Sequence, residues 1–563
     1  MRRSPFALLI AIVIVVAAAG QAIATGFADS QANQPQVAGD LGSNASALFP
    51  TNKQNEPTVA IAPAPYDTNA IAGSNDEQKQ PACGPGTQRG ATALANDCSF
   101  FPGVGTSGVY TSNDTGATWT NLGLLPGYND TGDSVATSAG PLATSAAPGT
   151  LVSDGDPVVV FGPKLVGSTF TFANGARAYY ANLSSFTSSA RKGQQAPELI
   201  GVSISDNYGA SWYDPILAVA KNGFIFNDKE DIWADRNPNS PFFGRVYLTW
   251  TQFRDVPGFA EPVMFSFSAD GGLTWSRPNQ LSIAQNIAFG GRQGSVVRSG
   301  PDGTVYAIWE DSDLKGAKQV VQVSHDGGLT WSKSITIGRV KDLAAAIPGS
   351  NFRTDSFASA AVDQRVGSGC TAVDSFCGRI YVSWSDAASG AGRIVVTSSS
   401  DHGRTWSTPV ARSTSGEGYA FFQGLDVAPN GRVDIGYQAL VATDPSTYGT
   451  GNALIDSYYV SSTDGGTTWS APLKVSSASS DPAASAQNNL ALQFWGDYNT
   501  LASTNGTALF IYTDSRTGVG CPAVDAYQMG LDGTGPAVAR PAPENVCDPQ
   551  FGNSDVYVSK ITP

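Results

Sequence analysis

Histidine is nearly absent: the 563 residues contain two, His325 and His402. A Ser-His-Asp hydrolase, a Cys-His nucleophile pair and a His-ligated zinc site each need a histidine at the chemistry. Both of these instead occupy variable positions of a repeated surface turn. Charge is also scarce, at 14% of residues against a typical ~25%. With a net charge of −14, the chain lacks the basic stripe that follows a phosphate backbone, which argues against a nucleic-acid partner. An acidic surface otherwise serves solubility. No amphipathic helix pattern of ~10 residues stands out, and no glycine loop is placed to open a helix and cradle phosphate. A cation loop of the Asp-x-Asp-x-Asp-Gly type is missing, and no cofactor is expected. Carboxylates, arginines and tyrosines are left to carry any chemistry.

What the chain has in quantity is 62 glycines, 34 prolines and short apolar runs, the composition of an all-β chain with many turns. One eight-residue stretch occurs six times. Its cleanest copy is Ser324-His325-Asp326-Gly327-Gly328-Leu329-Thr330-Trp331, and the others end at Trp119, Trp212, Trp275, Trp406 and Trp469. Each reads Ser-x-Asp-x-Gly-x-Thr-Trp, with Asn207 and Ser211 as substitutions in the second copy. The Ser and Asp fold back onto nearby backbone amides, Gly takes the positive φ, and the Trp drops onto the sheet. These residues match the Asp-box, or BNR repeat, and the chain resembles the Asp-box β-propellers of the sialidase superfamily.

Arg2 and Arg3, an apolar run over 7–19, and Ala22-Ile23-Ala24 read as a secretory signal over 1–24, with an uncleaved membrane anchor as the alternative. Residues 25–50 are rich in Ser, Gln, Ala and Asn and read as a linker, followed by a propeller over 51–563. Six cysteines form neighbouring pairs, and local disulfides 83–98, 370–377 and 521–547 fit the oxidising compartment that a signal implies. The expected location is secreted or at the cell surface.

Within 51–563 a four-strand unit repeats. Its second strand is the most legible, as in Gly244-Arg245-Val246-Tyr247-Leu248-Thr249-Trp250 and Gly303-Thr304-Val305-Tyr306-Ala307-Ile308-Trp309, both alternating with the strand period of two. First strands are expected at 56–62, 156–161, 230–235, 293–298, 356–362, 423–428 and 496–502. That count gives seven blades, with six as the alternative. The last blade has no Asp-box and no fourth strand, so the segment before Glu56 is expected to fill the missing edge and close the ring.

The starts of the first strands converge on the central channel of a propeller. Around the ring they are Glu56, Asp156, Lys229-Glu230-Asp231, Arg292-Gln293, Arg353 with Asp355, Gln423, and Asp497-Tyr498. They either bind a ligand or pair with one another around water. The resemblance implies a sialidase-like exo-hydrolase of a glycan. Arg292 and Arg353 would grip a sugar carboxylate through their planar forks, with Glu56 and Asp497 beside them. Tyr498 with Glu230 would form the nucleophile pair, and Asp156 or Asp231 the acid. The chain departs from that family where its Arg-Ile-Pro motif would stand, reading Asn55-Glu56-Pro57-Thr58-Val59. A second reading is an inverting hydrolase of a neutral polysaccharide through Asp156 and Asp497, which needs about 6.5–9.5 Å between carboxyls. A third is a non-catalytic extracellular binding or adhesion propeller, with Trp495, Phe100, Phe101 and Tyr128 as stacking candidates.

Overall fold

The repeated turn explains the architecture. In the fourth copy the Ser324 hydroxyl donates to Asp326 Oδ1 at 2.8 Å and accepts from the Gly328 amide at 2.8 Å. Asp326 Oδ1 then accepts from the amides of Leu329 and Thr330 at 3.0 and 2.8 Å, and its Oδ2 from the Thr330 hydroxyl at 2.6 Å. Gly327 and Gly328 hold φ of 70° and 95°, which a side-chain-bearing residue resists. Trp331 packs edge-on against Phe265 of the preceding blade, with ring centroids 4.8 Å apart. Each turn therefore ends one hairpin and helps glue its blade to the neighbour.

A computed structural model describes residues 26–35, 53–77, 106–130, 133–134, 151–186, 198–219, 225–254, 260–284, 290–344, 347, 350–366, 376–441, 453–485, 493–533 and 535–563. They form seven four-stranded antiparallel sheets, a seven-bladed all-β propeller. The first strands are Gln54–Ile61, Leu151–Val166, Ile225–Ala234, Arg292–Ser299, Ser359–Val362, Tyr419–Val427 and Thr500–Ser503. These are the innermost strands, and segments of all seven blades line one central channel. Apolar clusters fill the space between blades. One joins Ile200 and Val202 of blade 2 to Leu248 and Trp250 of blade 3.

The ring closes at its N-terminal end. Gly26–Gln31 is the outer strand of the seventh blade, antiparallel to Asp555–Thr562, with Gly26 opposite Thr562 and Gln31 opposite Tyr557. This is the edge that the missing fourth strand required. Arginines immediately before second strands add latches between blades: Arg245 donates to Gly327 O at 2.6 Å and Arg379 to Gly465 O at 3.2 Å.

One sequence expectation fails. Residues 522–532 form a helix, α1 (Pro522–Asp532), and a short α2 (Pro543–Val546) follows. Both lie in the insertion between the second and third strands of blade 7, where Cys521 and Cys547 are joined by a disulfide. Cys377 is also disulfide-bonded. The signal segment, the 83–98 pair, Phe100 and Phe101 lie outside the described residues. Among the described residues no helix is long and apolar enough to cross a membrane.

Candidate active site

A repeated backbone defect shapes the channel mouth. In five first strands the ladder to the second strand skips two residues: 56–57, 156–157, 229–230, 294–295 and 422–423. The leading residue of each bulge has positive φ, at 52° for Glu56, 54° for Asp156, 54° for Lys229, 64° for Gly294 and 48° for Phe422. Only Gly294 takes that conformation without a steric cost. Side-chain-bearing residues in it store strain, and such strain gathers at functional sites. The bulges free these residues from the ladder at the same level of the ring, so acidic groups from different blades meet.

Tyr498 stands at the centre of that meeting. Its hydroxyl is buried and has no hydrogen-bond partner among the described residues. Burial raises its pKa well above the usual phenol value, and the nearby carboxyls of Asp156, Glu56, Glu230 and Asp497 raise it further. Lys229 Nζ sits over the Tyr498 ring, 3.0 Å from its centroid, and 5.5 Å from that of Phe357. No other described residue makes a hydrogen bond to either oxygen of buried Glu230. Burial pushes the Glu230 carboxyl well above the ordinary range; its own backbone amide opposes this, and Asp228 adds to it.

The other candidates are placed as follows. Glu56 Oε2 accepts from Asn75 Nδ2 at 2.8 Å, while Asn75 Oδ1 accepts from the Asp156 amide at 2.7 Å. Glu56 and Asp156 also share a side-chain hydrogen bond, and both carboxyls are pushed up, first by burial and then by neighbouring carboxyls. Arg353 forks onto Asp497, Nε to Oδ1 at 2.7 Å and Nη2 to Oδ2 at 2.5 Å. The Arg353 side chain is 43% exposed; partial desolvation works against its charge, but Asp497 outweighs it and raises the guanidinium pKa. Asp231 lies deeper, accepting from the Val297 amide at 2.7 Å and from Arg298 Nη1 at 2.6 Å. Arg292 is 4% exposed and reaches Asp311 at 3.2 Å. Arg353 pairs instead with Asp497, so the two arginines face different aspartates and do not form one carboxylate clamp. Two stacking candidates are packed away: Trp495 and Tyr128 are fully buried and hydrogen-bond Gln438 and Asn182.

Asp228, Asn75 and a role for Lys229 emerge only from the folded arrangement. The Asp228-Lys229-Glu230-Asp231 run was the available signal, because four consecutive charges are unusual in so uncharged a chain. The channel cavity is about 160 Å³, many times the ~10–15 Å³ that one water needs. The interior is therefore a solvent-sized site and not a packed core. Among the described residues, no group of three His, Cys, Asp or Glu side chains is arranged to hold a metal. The arrangement sets a carboxyl that burial pushes up, Glu230, and one gripped by a guanidinium fork, Asp497, around a common space.

The Asp-box repeat family model matches residues 322–333. No curated protein matches the sequence. Among solved structures, a Dyadobacter fermentans protein of unknown function is similar at 12% identity, covering 72% of this chain and 93% of its own, with a TM-score of 0.40. A Hadza microbial sialidase is similar at 19% identity over 60% of this chain and 61% of its own, with a TM-score of 0.36. The GH93 α-L-arabinofuranosidase of Fusarium graminearum, solved with arabinobiose, shares 13% identity over 73% of this chain and 92% of its own, with a TM-score of 0.42. Likeness at this level concerns the fold and says nothing about chemistry.

Proposed function

We propose that the channel mouth is the active site of a secreted glycoside hydrolase acting on an uncharged glycan. One observation carries the reading: Glu230, whose carboxyl burial pushes well above the ordinary range, faces the same cavity as Asp497, whose two oxygens accept the Arg353 fork. A carboxyl kept protonated by burial beside a second carboxyl paired with a cation is what acid and base roles require. Glu230 donates its proton to the leaving oxygen. Water attacks the anomeric carbon and passes its proton to Asp497, and the glycosidic bond breaks. The Tyr498 hydroxyl is free to hydrogen-bond the sugar, and no step needs a cofactor.

Charge favours an uncharged sugar over sialic acid. The Arg353 fork is already matched by Asp497, Arg292 is directed at Asp311, and Lys229 lies on the Tyr498 ring. Around them stand Glu56, Asp156, Asp228, Glu230 and Asp355, whose carboxyls burial raises. A sugar carboxylate would find both arginines already paired with aspartates. An extracellular location is supported by the Cys521–Cys547 disulfide.

The test is release of reducing sugar from neutral oligosaccharides and of sialic acid from sialyllactose, by wild type, Glu230→Gln and Asp497→Asn. Release from neutral substrates, lost in both variants, is expected. Release of sialic acid by the wild type would overturn the neutral specificity. Binding on a glycan array with no release from any substrate would overturn the enzyme in favour of a binding propeller.

A further inference from the structure

We infer a second site, for a small monovalent anion, at the far end of the channel, built on Arg236 with Arg298 and Trp233. Arg236 follows the first strand of blade 3 and lines the channel. Its guanidinium lies over the Trp233 ring, 4.7 Å from centre to centroid. No described group makes a hydrogen bond or ion pair to it. Arg298 packs on the same indole at 4.9 Å, but its charge is matched by Asp231 at 2.6 Å and its Nε reaches Ala360 O at 2.8 Å. Two like charges thus share one aromatic ring, and only one has a counter-ion in contact.

Asp426 is the nearest acid to Arg236 in electrostatic effect, yet it makes no ion pair with it. Its oxygens turn to the Ser503 and Val427 amides, at 2.9 and 2.8 Å. Arg236 is half-buried, and a partly desolvated guanidinium with open donors and no touching counter-charge is costly. Water can fill the donors but leaves the charge. A chloride-sized anion, or the carboxylate of a small acid, would do both, held by the Arg236 fork against the indole. The site stands apart from the acidic mouth and does not depend on the hydrolase reading.

The full chain tests this in two ways. Crystals grown with bromide in place of chloride should show an anomalous peak beside the Arg236 guanidinium. Thermal melting in sodium chloride or sodium acetate, against sodium gluconate at equal ionic strength, should show a saturable rise. Arg236→Met should remove that rise, and Arg236→Lys, which keeps the charge, should retain part of it. Asp426→Asn should move the half-saturating chloride concentration lower, because it removes the opposing acid. A channel without a bromide peak overturns the site, as does a chloride-dependent rise that survives in Arg236→Met. If Arg236→Met does not fold, the bromide peak and the Asp426→Asn titration decide the question.

Discussion

Closure of the ring rests on Asn33, and its removal gives a magnitude that can be worked from contacts. Asn33 is 4% exposed. Its amide nitrogen donates to Gln54 Oε1 at 3.0 Å and Asp555 Oδ1 at 2.8 Å, and its oxygen accepts from the Val556 amide at 3.0 Å. Asn33→Ala leaves the buried Val556 N–H without that acceptor and strips one donor from a buried carboxylate, together costing about 3 kcal/mol. With 563 residues and an unfolding entropy of about 2.1 cal/mol/K per residue, each kcal/mol moves Tm by just under about 1 °C. Differential scanning calorimetry should therefore show a fall of about 2–3 °C. Thr562→Ala, an exposed change in the paired strand, should stay within about 0.5 kcal/mol of wild type. An Asn33→Ala protein that melts with the wild type would refute the closing strand as a stabilising part of the ring.

Two further outcomes follow from other contacts. Burial raises the carboxyls of Glu77, Asp154 and Glu261 to about 7. Such groups bind protons more tightly when folded, so their stability is complete below about pH 4 and is lost as pH rises through about 7. The Thr405 hydroxyl and amide hold the Asp401 carboxyl down at about 2, and its contribution is lost only as pH falls through that value. Melting scans from pH 4 to 8.5 should thus show higher Tm on the acid side, and a maximum at or above pH 7 would contradict the buried acids. Asp326→Ala removes the acceptor of the Leu329 and Thr330 amides and should cost about 1 kcal/mol in denaturant unfolding, as a lost helix cap does. No loss would mean that the turn is held by its glycines and tryptophan alone.

The Asp-box, the period-two strands, the seven first strands and the need for a closing edge were legible because each depends on short-range chemistry. The bulges were not, since a skipped pair is a property of two strands. One trace was present: Glu56-Pro57 and Asp156-Pro157 put a proline, which has no N–H to give a ladder, in the skipped position. Register also explains Arg292. The bulge of its strand falls at 294–295, so Arg292 remains in the ladder opposite Asp311 and its side chain meets that residue. Helix α1 had its punctuation, Pro522 at the start and Gly533 at φ 74° at the end, but too weak an apolar stripe to read. The acidic residues of the mouth could be named from sequence, whereas which of them is paired and which is free depended on distances.

The most direct test of the central claim compares leaving groups. On a neutral oligosaccharide that the wild type cleaves, Glu230→Gln should lower kcat by roughly 10²–10⁴-fold. On the matching dinitrophenyl glycoside, whose leaving group needs no proton, the loss should be far smaller. An equal loss on both substrates would contradict Glu230 as the acid, and with it the account of the channel mouth.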